Sequence, residues 1–141
     1  MQKQTRLPGL DFPVRSTDAR ATIMNLEAHV GLYYLFVEEV LQRGVLAAPE
    51  RFLHNDFVAH GSAGDHDRHA FIVHLAARRA RFPDAVWTIE ALTGVGMHVV
   101  CYLTMIAPNL EDQVWESVVV RFDNDRIVES WSICHQLLRP S

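Results

Sequence analysis

The sequence predicts an α+β domain, with helices laid across one face of a curved antiparallel sheet and a cavity between the two layers. Three observations predict it. Up to Gly44 the apolar residues recur in steps of three and four, the period of a helix. After Pro83 the period drops to two, and four alternating runs follow. The runs are joined by short Gly-, Asn-, Asp- and Pro-rich connections, which fit antiparallel hairpins and not parallel crossovers.

Each element has its own signal. Residues 1–16 are polar and broken by Pro8, Gly9 and Pro13, so they read as an N-terminal arm, either disordered or packed on a partner subunit. Residues 17–141 read as a single domain with no internal repeat or boundary. Ser16 or Thr17 caps the first helix, whose stripe is Ile23, Leu26, Val30, Tyr33, Val37, Val40 and Leu41, and Gly44 ends it. A short helix runs from Pro49 through Leu53, and Asn55 to His60 reads as a short strand. Gly61, Ser62, Gly64 and Asp65 form a loop. Asp65 or Asp67 then caps a third helix, Arg68 to Arg81, closed by Pro83. The four strands are Ala85–Leu92, His98–Ala107, Gln113–Phe122 and Arg126–Gln136.

Composition narrows the function. The chain has 141 residues, 49% hydrophobic and 21% charged, an ordinary balance for one globular domain. Thirteen Lys and Arg against 17 Asp and Glu leave a net charge of −4, with no basic excess for non-specific nucleic-acid binding. No apolar run reaches membrane-spanning length and the N-terminus lacks a signal-peptide core, so no membrane partner is expected. Two cysteines, Cys101 and Cys134, are too few for a disulfide scaffold, which makes the cytoplasm the default location. Eight histidines are a surplus, and the question is whether they mean metal, catalysis or neither.

Strand parity sorts the faces. In Gln113–Phe122 the even positions Val114, Val118, Val120 and Phe122 are apolar, and Glu116 sits among them, so the even face is expected to meet the helices with one carboxylate on its wall. In His98–Ala107 both parities are largely apolar, which suits a homodimer packed through the outer sheet face. In the last strand, parity alone does not choose between Ser130, Ser132, Cys134 and Glu129, Trp131, Ile133, His135. Trp115 and Trp131 share odd parity on neighbouring strands and are expected to stack on the outer face.

Two segments carry a family likeness. Asn55-Asp56-Phe57-Val58-Ala59-His60, followed by a helix and Arg81-Phe82-Pro83-Asp84, resembles the SnoaL-like polyketide cyclases. So does Val120-Arg121-Phe122-Asp123-Asn124-Asp125-Arg126-Ile127-Val128-Glu129-Ser130-Trp131. Those proteins belong to the nuclear transport factor two-like superfamily, with ketosteroid isomerase, scytalone dehydratase and limonene epoxide hydrolase. The resemblance covers about Asp18 to Leu138 and implies a cone-shaped fold: three N-terminal helices on a strongly curved antiparallel sheet, with a cavity between. It places His60 where ketosteroid isomerase has its general base, and turns Ser130, Ser132 and Cys134 toward the cavity. Departures matter as much. Val118 stands where that isomerase has an oxyanion-stabilising acid, and Ser132 where the cyclases have a catalytic aspartate. The isomerase's first-helix tyrosine maps near Val37, one turn after Tyr33 and Tyr34. Asp125 replaces the family's turn glycine, and the longer loop between the middle strands is absent.

The expected protein is a cofactor-independent enzyme that moves protons at carbon in a hydrophobic carbonyl or alcohol: an isomerase, aldol-type cyclase or dehydratase. The alternative is a non-catalytic binding or dimerising module of the same fold. The catalytic candidates are His60 as acid/base, with Glu116, Tyr34 or Ser132 as its partner. Tyr33, Phe57, Phe82, Tyr102, Thr104, Val118, Ser132 and Cys134 are expected to line the substrate cavity. Glu116 also has a structural reading, as a buried partner of Arg78 or His98. No metal is expected. His60, Asp65, His66, Asp67, His69 and His74 crowd together, but helix geometry spreads them over different faces.

Overall fold

The computed structural model describes residues 27–45, 48–62, 64–111 and 113–137. The predicted arm and the start of the first helix lie outside them. The first helix, α1, is followed over residues 27–42, and its last six residues, Val37–Gln42, wind as a π-helix. Of the predicted stripe, Tyr33, Val37, Val40 and Leu41 join the core, and Phe36 is buried with them. The chain leaves α1 through Gly44 at φ +64°. The last carbonyls of α1 are satisfied from outside, because Arg79 Nη1 donates to Leu41 O at 3.3 Å and to Gln42 O at 2.7 Å. Gln42 ties the same end to the sheet, accepting from Trp87 N at 2.7 Å and donating to Ala85 O at 3.3 Å.

Helix α2 is Ala48–Phe52 and runs straight into strand β1, Leu53–Gly61. A hairpin then forms where a loop was expected: β2, Gly64–Asp67, pairs antiparallel with β1. Its sequence, Gly-Asp-His-Asp, has no apolar alternation, so periodicity could not reveal it. Asp67 caps helix α3, Arg68–Arg81, accepting from Ala70 N at 2.8 Å. The four remaining strands are β3 Val86–Val95, β4 His98–Ile106, β5 Gln113–Asp123 and β6 Arg126–Leu137. They form the expected antiparallel meander. The six-stranded sheet has the order β2-β1-β6-β5-β4-β3, and β1 joins β6 in parallel. The turn between β5 and β6 takes its left-handed residue at Asn124 (φ 58°) and not at Asp125.

The helices cover one sheet face. Toward them point Phe57 and Ala59 of β1, Val99, Cys101 and Leu103 of β4, Val118, Val120 and Phe122 of β5, and Ile127 of β6. The even face of β5 is inward, as predicted. In β4 the odd face is inward, which corrects two expected cavity residues. Tyr102 is 47% exposed on the outer face. Thr104 is buried on that same side, where its hydroxyl donates to Glu90 at 2.9 Å. Apolar residues on both parities of β4 left this choice open in the sequence. The Trp115–Trp131 stack does not form either. Trp115 lies opposite His135 and Trp131 opposite Val119, several residues apart along the strands. Elsewhere His29 lies flat on Phe122, ring centroids 4.3 Å apart, and donates to Asn124 O at 2.7 Å, tying α1 to the β5–β6 turn.

Candidate functional site

Between the helices and the sheet lies a cavity of about 290 Å³. Its wall is mostly apolar, with Phe36 from α1, Phe57 from β1, Phe71 and Leu75 from α3, Leu103 from β4 and Val118 from β5. The polar residues along it are Tyr33, Ser62, His66, His74, Arg78, Glu116, Ser130, Ser132 and Cys134, with His60 at the rim. A mostly apolar space with few polar groups is the usual make-up of a small-molecule site. Tyr33, Phe57, Val118, Ser132 and Cys134 line this cavity, and Glu116 is on its wall.

Glu116 dominates the electrostatics. The pleat of β5 turns it inward between Leu103 and Cys134, its cross-strand neighbours. It is only 8% exposed, and its Oε1 has no hydrogen-bond partner. Arg78 Nη1 stands 3.7 Å away, too far for a hydrogen bond. Burial pushes the carboxyl above the ordinary carboxylate value; Arg78 and the Cys134 thiol oppose that push without cancelling it. The neighbours respond alike. Burial, then the Cys101 and Glu116 charges, hold the Tyr33 phenol well above its usual range. Burial, then Glu116, push the Cys101 thiol up to about 12, so it is an inert packing group.

Helix α3 supplies a second polar edge. Phe71, His74, Leu75 and Arg78 share one face at helical spacing, and all four reach the cavity. His74 stacks on His66 of β2, ring centroids 5.7 Å apart. Burial first, then the positive charge of Arg78 and the nearby His66, lower its basicity and favour the neutral imidazole. Arg78 lies over the Trp87 ring at 4.8 Å. Sequence reasoning weighed Arg78 as a possible Glu116 partner, and it set His66 and His74 aside as residues on different faces. The usable signal was that His74 and Arg78 continue the Phe71–Leu75 stripe.

His60 does not point into the cavity. It borders the rim, but Phe57 and Ala59 are the inward residues of β1, so the pleat turns the His60 ring to the outer face. There it stacks on Trp131, ring centroids 5.6 Å apart. Nδ1 meets Asp65 Oδ1 at 2.9 Å and Nε2 meets Glu129 Oε2 at 2.7 Å. Glu129 is held in turn by Arg121 at 3.0 Å. With a carboxylate at each nitrogen, both nitrogens act as donors and no lone pair is left to take a proton. Glu129 first, then Asp65, raise the His60 pKa above the ordinary histidine value.

Two further candidates fall away from the cavity. Tyr34 is 48% exposed, because one residue's step along α1 rotates it away from the buried side that Tyr33 occupies. Phe82 packs in a separate small cluster with Ala85, Met105 and Ala107. Among the described residues no group of three His, Cys, Asp or Glu converges to hold a metal ion, and no helix is long and apolar enough to cross a membrane.

Solved structures share this architecture. IdmH of Streptomyces antibioticus is 20% identical at a TM-score of 0.65, covering 74% of this chain and 91% of that one. An epoxide hydrolase from M. tuberculosis, described as LEH-like, is 18% identical at a TM-score of 0.66, over 78% of this chain and 84% of that one. A SnoaL-like polyketide cyclase from Agrobacterium tumefaciens is 16% identical at a TM-score of 0.63, over 74% and 88%. At these identities the likeness is one of fold. No curated protein matches the chain. The family model for SnoaL-like polyketide cyclases matches residues 31–138, and the chain belongs to that family.

Proposed function

We propose that this protein is a cofactor-independent enzyme moving protons at carbon in a hydrophobic carbonyl substrate, with Glu116 as its acid. The observation that carries this reading is the buried, unpartnered Glu116 oxygen on the wall of an apolar cavity. A carboxyl kept neutral by burial can donate to a carbonyl oxygen and stabilise the enolate that forms there. The Tyr33 hydroxyl is a further hydrogen-bond donor on the cavity wall. His74, favoured as the neutral imidazole, is the base of this reading and takes over the role the sequence gave to His60. Structures of the same fold named as an epoxide hydrolase and a polyketide cyclase support an enzymatic reading of the cavity.

The test is hydrogen–deuterium exchange at the carbon next to the carbonyl of small apolar ketones such as 2-tetralone, followed by NMR. The protein is expected to speed exchange above solvent background, and Glu116→Gln to slow it about a hundredfold or more. No acceleration by the protein, or an unchanged rate in the variant, contradicts the proposal.

One observation favours the non-catalytic alternative: Val118 and Ser132 occupy positions where related enzymes carry acids. A ligand that saturates the cavity and is recovered unchanged would support that reading. On either reading, the apolar outer sheet face supports pairing with a second copy of the chain.

A further inference from the structure

Glu116 and Arg78 are close but mismatched. Their nearest atoms are 3.7 Å apart, and the Glu116 oxygen that faces the guanidinium has no hydrogen-bond partner. The Arg78 side chain makes no hydrogen bond among the described residues; it meets only that loose ion pair and the face of Trp87. The contact with Trp87 covers one side of the guanidinium and leaves its N–H groups without a protein hydrogen-bond partner, partly open to solvent. The guanidinium is a cation with N–H donors and no acceptor. Its one carboxyl neighbour in the cavity is held toward the neutral form by burial. No other carboxylate lines the cavity among the described residues. The Arg78 side chain is 23% exposed, so water meets part of its charge, and a bound anion would meet the part that faces the apolar cavity.

We propose that the cavity is built for an apolar carboxylate, whose two oxygens take the open edge of Arg78 while its hydrocarbon body fills the space lined by Phe57, Phe71, Leu103 and Val118. This rests on reading the cavity as a small-molecule site, and it makes Arg78 the residue that sets ligand class. The fork of a guanidinium matches a carboxylate in geometry as well as charge, which a neutral amide of the same shape cannot exploit.

The probes are 2-naphthoate and its neutral isostere 2-naphthamide, titrated into the full chain by calorimetry at neutral pH. The naphthoate is expected to bind about tenfold or more tightly than the amide. In Arg78→Met that preference is expected to collapse to near unity, with the amide binding as before. Arg78→Lys keeps the charge without the fork, so it is expected to show a reduced preference; it carries the test if the Met variant does not fold. Equal binding of the two probes to the parent protein overturns the carboxylate proposal and leaves the cavity reading standing. So does a preference that survives Arg78→Met unchanged. Failure of both probes to bind overturns the carboxylate proposal and the small-molecule reading together.

Discussion

His60 and Ala59 are neighbours in the chain and lie on opposite sides of the sheet. The family likeness placed His60 at a catalytic position, yet one step of the pleat carries its ring to a surface ion cluster with Asp65, Glu129 and Arg121. Parity within β1 was available in the sequence: Phe57 and Ala59 are the apolar pair, and His60 is out of phase with them. Glu116 was legible for the converse reason, as the one charge in an otherwise apolar alternation. Because the His60 pKa is raised by its folded partners, the stabilisation is present below the ordinary histidine value and is lost as pH rises through the folded value. A histidine NMR titration is expected to place His60 above an unperturbed histidine, and Glu129→Gln to bring it down. A His60 titrating at the ordinary value in the intact protein would remove the ion cluster from the account.

At the scale of elements, the α1 stripe, the Asp67 cap of α3 and the four-strand meander were legible because each rests on local chemistry. What was not legible depends on neighbours far along the chain. The polar strand β2 exists through its pairing with β1. The inward face of β4 is set by its register with β3 and β5, since its own residues are apolar on both sides. The cavity-facing side of α3 was hidden because His and Arg normally mark solvent, whereas here they extend an apolar stripe into a cavity. The junction after α1 can be tested alone. Gly44 has φ +64°, and a Cβ there would stand 2.8 Å from Arg79 Nε. Gly44→Ala is expected to cost about 1–2 kcal/mol in urea unfolding, through the left-handed backbone and the displaced Arg79 cap. A loss indistinguishable from zero would mean that Arg79 does not hold this end of α1.

For the whole molecule, the sheet divides two environments. One face holds the core and the cavity. The other leaves Tyr102 47%, Ile106 45% and Ile133 68% exposed, a run of apolar residues across β4 and β6 that a free surface seldom keeps. Light scattering at micromolar concentration is expected to give the mass of a dimer, and Ile133→Glu to shift it toward the monomer. A monomer in the parent protein would contradict the second-copy reading of that face.

The cavity side depends on the state of one carboxyl, because both the proposed acid and the uncompensated Arg78 require a Glu116 that resists ionisation. The most direct test is a 13C NMR titration of the glutamate δ-carbons, with Glu116 assigned by its loss in Glu116→Gln. The account predicts that Glu116 ionises at higher pH than the exposed glutamates, because burial outweighs the pull of Arg78. A Glu116 that ionises together with them, or below them, would make it the ionised partner of Arg78 and contradict the proposed chemistry of the cavity.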